Sequence, residues 1–121
     1  MASLKLEDKV TGTITTADGT TVTTVCSFPT PASDASFHLI FRISGKDASG
    51  NSVAGFVYAS GKRVSGALTV EGTPTVVVTG NAGLVASVPA IGVNGTNFIG
   101  TVVGITATNM EWFGRLLVLV N

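Results

Sequence analysis

Apolar and polar residues alternate with a period of two along most of this chain. The clearest example is residues 37–44, in which Phe37, Leu39, Phe41 and Ile43 fall on one side and polar residues on the other. Successive side chains of a β-strand point to opposite faces, so this period is typical of a strand with one buried face. No segment has the 3.6-residue period of an amphipathic helix. The sequence therefore predicts an all-β protein.

Turn-forming residues divide the alternating segments at intervals of about ten residues. The predicted strands cover residues 10–16, 21–28, 37–44, 53–60, 67–79, 82–93, 97–105 and 110–120. About eight short strands at this spacing are typical of an antiparallel β-sandwich, and we expect a jelly-roll-like one. The predicted organisation is a single domain over residues 10–121, preceded by a charged N-terminal arm over residues 1–9.

Several turns are specific enough to be predicted by type. Asp18-Gly19 and Asn94-Gly95 each separate two alternating segments and predict hairpins, because such turns need residues that tolerate positive φ. Pro29 should end the second strand, and Pro89 should confine its segment to a sheet edge. Residues 72–74, Gly-Thr-Pro, predict a bulge, a kink or a short break in the fifth strand.

Charge is scarce, which bears on the partners of the chain. Charged residues make up 12% of the 121, the formal net charge is zero, and hydrophobic residues reach 45%. A nearly uncharged surface favours association, although a stable monomer with a threonine-rich surface is the alternative. The basic residues are scattered, and only Lys62 and Arg63 are adjacent, which we expect at a solvated turn. We therefore expect no nucleic-acid binding.

The sequence also indicates where the chain is made. No apolar run of 18 or more residues occurs, so no membrane span is predicted. The first residues do not resemble a signal peptide, and we expect production in a cytoplasm.

No group of residues predicts catalysis. Cys26 is the only cysteine and lies in an alternating segment, where we expect a buried structural thiol. His38 is the only histidine, which excludes a site with several histidine ligands. A triad of His38 with Asp34 and either Ser36 or Ser44 has no support in the spacing, because Ser36 and His38 lie two residues apart on one strand. We therefore expect a protein that is not an enzyme, with no catalytic, cofactor-binding or metal-binding residue.

A set of segments taken together points to a known family. They are a Pro/Ala turn at residues 28–32, strands at 37–46 and 53–58, the pair Lys62-Arg63 before residues 66–74, a strand with Trp112, and an apolar end at 116–120. In these segments the chain from about Thr20 onward resembles a family of small β-rich structural proteins of tailed bacteriophages. The resemblance implies a virion component without catalytic residues, such as a capsid decoration (cement) protein or part of a fibre.

The first functional hypothesis is capsid decoration. The partner would be the major capsid protein, and the chain would bind the outer shell as a homotrimer after synthesis in the host cytoplasm. Many weak contacts would add up over many copies. The candidate contact residues are Leu4, Leu6, Phe56, Tyr58 and Phe113. The alternative for each is an ordinary core position or a single exposed apolar side chain.

The second hypothesis is a fibre or spike head that binds a host-surface glycan. Such sites use exposed aromatic rings beside hydrogen-bonding groups. The chain has one tryptophan and one tyrosine, and we expect Trp112 to pack in the core. The low charge and apolar composition favour assembly over glycan binding.

Overall fold

The computed structural model describes residues 6–121, with side chains from Asp8 onward. The chain forms eight strands: β1 (Leu6–Thr16), β2 (Val22–Pro29), β3 (Ala35–Asp47), β4 (Ser52–Val64), β5 (Ala67–Gly80), β6 (Val88–Asn94), β7 (Asn97–Val103) and β8 (Met110–Val120). All pairings are antiparallel. The fold is an antiparallel β-sandwich, which confirms the predicted class.

The strands form two sheets. The five-stranded sheet has the order β1-β8-β3-β4-β5, and the three-stranded sheet has the order β2-β7-β6. Three neighbouring pairs are distant in sequence, namely β1–β8, β3–β8 and β2–β7, as expected for nested jelly-roll-like connections. The other neighbours, β3–β4, β4–β5 and β6–β7, are consecutive in sequence.

Strand β1 begins inside the predicted N-terminal arm. Its backbone pairs with β8 from Leu6, opposite Val120, to Thr16, opposite Met110. Residues 6–9 therefore belong to the five-stranded sheet, and the expected boundary at residue 10 falls within a strand. Backbone pairing needs no apolar side chain, so the charges of this segment do not prevent it.

The core lies between the two sheets and is centred on two phenylalanines. Phe41 of β3 and Phe98 of β7 are fully buried, and Phe98 meets Phe37 edge-to-face at 5.0 Å between ring centroids. A Cβ at Gly100 would come within 2.5 Å of the Phe41 ring, and a Cβ at Gly114 within 2.9 Å. These two glycines therefore create the space that Phe41 occupies between the sheets.

The two predicted hairpins have opposite outcomes. Asn94-Gly95 does connect β6 to β7, with Asn94 paired to Asn97 and Gly95 at a φ of 62°. The prediction of a hairpin at Asp18-Gly19 is wrong, because β1 pairs with β8 whereas β2 pairs with β7 in the other sheet. Asp18 still shapes a turn there, since its carboxylate accepts hydrogen bonds from the backbone of Thr20 and Thr21 at 3.0 and 2.8 Å.

The irregularities predicted at Pro29, at residues 72–74 and at Pro89 are confirmed. The register of β4 and β5 shifts between Tyr58 and Ser60, opposite residues 72–74, and Gly72 has a φ of 69°. Pro89 lies in β6, which is an edge strand. Pro29 is the last residue of β2.

Two local expectations are wrong. Residues 82–87, expected to begin the sixth strand, are not in a strand, and residues 82–86 form turns. The Asn81 side chain accepts a hydrogen bond from the Gly83 backbone at 2.9 Å, and the Asn81 carbonyl accepts one from the Leu84 backbone at 2.8 Å. Lys62 and Arg63 lie in β4 rather than at a turn, since β4 continues to Val64. Arg63 donates to the Pro31 carbonyl at 2.7 Å and so holds the loop before β3.

Candidate interaction surface

The five-stranded sheet has one face that the three-stranded sheet does not cover. We call it the outer face, and it carries every second residue of these strands, alternating with the core residues. Phe113 is 51% exposed, Tyr58 42% and Val77 38%. Tyr58 and Val77 lie on the neighbouring strands β4 and β5, and Phe113 lies on β8 of the same sheet. Several large exposed apolar side chains on one face indicate a patch when half-buried apolar residues lie between them.

The strand register places the residues of this face in rows across the sheet. The central row is Thr11, Arg115, Arg42, Phe56 and Val77, from β1 to β5.

The rows on either side of it are mostly apolar in the middle. One consists of Lys9, Leu117, Ile40, Tyr58 and Thr75, and the other of Thr13, Phe113, Ser44, Ala54 and Thr79. Leu117, Ile40 and Phe56 are half-buried against their neighbours. The centre of the outer face is therefore apolar apart from two arginines.

An aromatic cluster lies on the β4 side of this face. The Tyr58 ring stacks on His38 with centroids 5.8 Å apart and an angle of 16°, and Phe56 meets Tyr58 edge-to-face at 5.4 Å. A shallow groove of about 360 Å³ runs beside the cluster, and its lining includes Ile40, Arg42 and Val77. The groove is open to solvent and combines apolar walls with one guanidinium group.

The outer face has two ion pairs towards its edges and two arginines at its centre. Lys46 and Glu111 form an ion pair at 3.7 Å at one end, and Lys62 and Glu71 form another at 3.6 Å near β5. Among the described residues, Arg42 and Arg115 form no ion pair. An apolar centre with a polar rim is the usual anatomy of a protein–protein interface.

The structure places three of the five candidate contact residues on the outer face and brings two of them into contact. Phe56 and Tyr58 are in contact on β4, and Phe113 lies on the same face two strands away on β8. Leu6 is the first residue of β1, and its backbone pairs with that of Val120. Leu4 lies outside the described residues.

The sequence interpretation missed the residues that join these aromatics into one patch, namely Ile40, Leu117, Val77 and the two arginines. The alternation of β3 and the apolar character of both sides of β8 were the available signals.

The outer side of the three-stranded sheet is different in composition. Its strands β2, β6 and β7 contain no charged residue. Val22 and Val88 are 65% and 52% exposed at one end of it, both paired with Val103. This face offers apolar, hydroxyl and amide side chains but no charged one.

The residues considered as catalytic candidates are buried, stacked or hydrogen-bonded to the backbone, and they do not form one group. Cys26 is a free thiol, 2% exposed, and its burial raises the pKa of the thiol, which confirms the expected buried position. The carboxylate of Asp34 accepts from the Ser65 backbone at 2.9 Å, and Ser36 donates to the Asn121 carbonyl. His38 stacks on Tyr58 instead of joining them. Among the side chains described, those of residues 8–121, no three His, Cys, Asp or Glu are grouped as metal ligands.

Trp112 lies in the core as expected, 2% exposed, and its indole Nε1 donates to Thr16 Oγ1 at 2.8 Å. The part of the chain that the structure describes contains no helix long and apolar enough to cross a membrane. No protein-family model and no curated protein matches this chain.

Proposed function

We propose that this chain is a structural subunit of a bacteriophage particle, a decoration protein that binds the outside of the capsid shell through the outer face of its five-stranded sheet. The observation that carries the proposal is the apolar patch around Phe56, Tyr58 and Phe113 on the outer face, in which Tyr58 and Phe113 are exposed and near which two ion pairs lie. A contact that covers this patch would remove apolar side chains from water and leave the paired charges at its margin.

The partner in this proposal is the major capsid protein, and the expected state of the chain is a homotrimer. Avidity makes a modest contact sufficient, because a trimer that engages several shell subunits at once dissociates only when all contacts open together. The low charge of the chain supports close packing against a shell, since few charged groups need to lose water.

The first test is the solution mass of the purified protein by light scattering, followed by co-sedimentation with purified capsids. We expect a discrete trimer that sediments with the shells. The double variant Tyr58→Ser and Phe113→Ser should lose most shell binding while it keeps its fold. The matched control is the double variant Val22→Ser and Val88→Ser, which removes exposed apolar groups from the other sheet and should bind as the original chain does.

Either of two results would contradict the proposal. A protein that stays in the supernatant with capsids at all concentrations is not a decoration protein. Equal loss of binding in both double variants would show that the outer face of the five-stranded sheet has no special role.

The second candidate function is recognition of a host-surface glycan, and the stack of Tyr58 on His38 favours it. An exposed aromatic ring can support a sugar ring while Arg42, in the same groove, donates hydrogen bonds. Binding of the purified protein to host cells that is lost on Tyr58→Ala, without any binding to shells, would support this function over decoration.

A further inference from the structure

Two arginines face each other at the centre of the outer face. Arg42 of β3 and Arg115 of β8 are direct cross-strand partners. Like charges directly opposite each other on neighbouring strands destabilise a sheet. Such a pair is therefore a local cost in free energy unless an anion compensates it.

The described residues provide no compensating carboxylate near the pair. The flanking rows contain Phe113 and Ser44 on one side and Leu117 and Ile40 on the other. Glu111 lies four residues along β8 from Arg115, roughly 13 Å at strand spacing, and it pairs with Lys46. The Nε of Arg115 is buried and has no hydrogen-bond partner among the described residues.

Two simpler explanations account for only part of this arrangement. Long arginine stems can cover apolar surface with their heads in water, but a single arginine would do this without repulsion. A second copy of the chain, docked face to face about a two-fold axis near the pair, would bring four guanidinium groups together. The charge of the site thus favours a different, acidic occupant.

We propose that Arg42 and Arg115 form a receptor for carboxylate side chains of a protein partner, in which an acidic residue flanked by apolar residues enters between Phe113, Phe56 and Leu117. A guanidinium group binds a carboxylate through two parallel hydrogen bonds, and the surrounding apolar side chains exclude water and strengthen the pair. This proposal rests on the proposed function, which identifies the partner as a shell subunit.

The receptor can be tested on the isolated protein by NMR of the arginine side-chain Nε–Hε groups. The probe is the peptide acetyl-Leu-Glu-Phe-Glu-Leu-amide, and the comparison peptide has glutamine at both glutamate positions. We expect saturable shifts of the Arg42 and Arg115 signals with the glutamate peptide only, weakened by added salt. Arg115→Gln and Arg42→Gln should each weaken binding about tenfold or more. Lys46→Gln, a control with the same loss of charge on the same face, should leave it unchanged.

Arg115→Lys covers the case in which the glutamine variants fold poorly. It keeps the charge but loses the planar fork, so binding should still weaken. Equal shifts with both peptides, tighter binding of inorganic phosphate, or unchanged affinity in the arginine variants would each overturn the receptor.

A free-chain measurement separates this role from a purely structural one. If the pair exists to bind a partner, Arg42→Gln relieves repulsion, and the urea midpoint stays the same or rises. A clear fall in the midpoint would show that the pair stabilises the sheet and would count against the receptor.

Capsid binding then distinguishes the two proposals. If the chain binds shells and the arginine variants bind equally well, the decoration function stands and the receptor fails. If the peptide binds at the arginines but no shell does, the receptor stands and the decoration function fails.

Discussion

The two sheets of this sandwich differ in where the chain keeps its charge. Every strand of the five-stranded sheet contains charged residues, whereas the three strands of the other sheet contain none. The outer face of the larger sheet combines aromatic rings, two unpaired arginines and a rim of ion pairs. The outer face of the smaller sheet has only uncharged side chains, among them Val22, Thr24, Ser27, Asn97 and Ile99.

This difference changes the meaning of the low overall charge. The charged residues are few, but they are concentrated on one sheet, where they can select a partner by charge as well as by shape. The smaller sheet can offer only uncharged contacts, from apolar, hydroxyl and amide side chains. A surface that is nearly uncharged on average is thus compatible with one specific contact on one face.

The largest expected effect is a difference in stability between alanine variants of two phenylalanines, which lie on opposite faces of the five-stranded sheet. Phe41→Ala should lower the free energy of unfolding by about 3–5 kcal/mol, because the ring is fully buried between Gly100 and Gly114. Phe113→Ala should lower it by less than about 1 kcal/mol, because the ring is half in solvent. Urea unfolding followed by Trp112 fluorescence measures both. Similar losses would mean that the outer face stabilises the fold and is not reserved for a partner.

The next effect tests whether the smaller sheet tolerates charge. Thr101 of β7 is 6% exposed between Thr24 and Ala90, and Thr101→Asp should cost about 2–3 kcal/mol because it buries an unpaired carboxylate. Thr13→Asp, on the exposed outer face of β1, should change stability by about 0.5 kcal/mol at most. If the two variants have equal urea midpoints, the distribution of charge between the sheets has no energetic basis in the isolated chain.

The smallest effect concerns two aspartates, Asp18 in the turn that connects the two sheets and Asp47 at the end of β3. Backbone hydrogen bonds from Thr21 and Thr20 lower the pKa of Asp18, and the side-chain hydrogen bond from Asn51 is the main cause of the lowered pKa of Asp47. A lowered folded-state pKa stabilises the fold above the unfolded value of 3.8, and this stabilisation is lost as the pH falls through the lower folded value.

Urea midpoints measured from pH 6 down to pH 2 test this. The decline below about pH 4 should be shallower in Asp18→Asn and in Asp47→Asn than in the original chain. An unchanged acid decline in both variants would show that these turns do not contribute to it.

The sequence predicted the strands well because their signals are local. Alternation and turn residues place β3, β7 and β8 within a few residues of their observed positions, and Asn94-Gly95 forms the hairpin expected of it. Asp18-Gly19 has an equally strong local signal, but the turn connects different sheets. A turn residue specifies a backbone angle, whereas the partner of a strand depends on contacts with distant segments such as β8.

The same limit applies to the candidate surface. Phe56, Tyr58 and Phe113 were identified as apolar residues at strand positions, and alternation alone places Phe56 and Tyr58 on one face. The pairing of Arg42 with Arg115 depends on the register between β3 and β8, which are far apart in the sequence. Residues 82–87 show that an apolar segment need not be a strand. Their composition resembles that of a strand, but they form a turn from which Leu84 packs into the core.

The buried thiol of Cys26 gives the chain a built-in chemical reporter. It lies on β2 opposite Gly100, on the side of the three-stranded sheet that faces the core, and it is the only cysteine. A thiol-specific reagent can reach the sulfur only when the sandwich opens, so the rate of labelling in the native state measures how often it does. Binding of a partner on the opposite side of the larger sheet should slow that labelling, although the partner never contacts the cysteine, because it stabilises only the closed form.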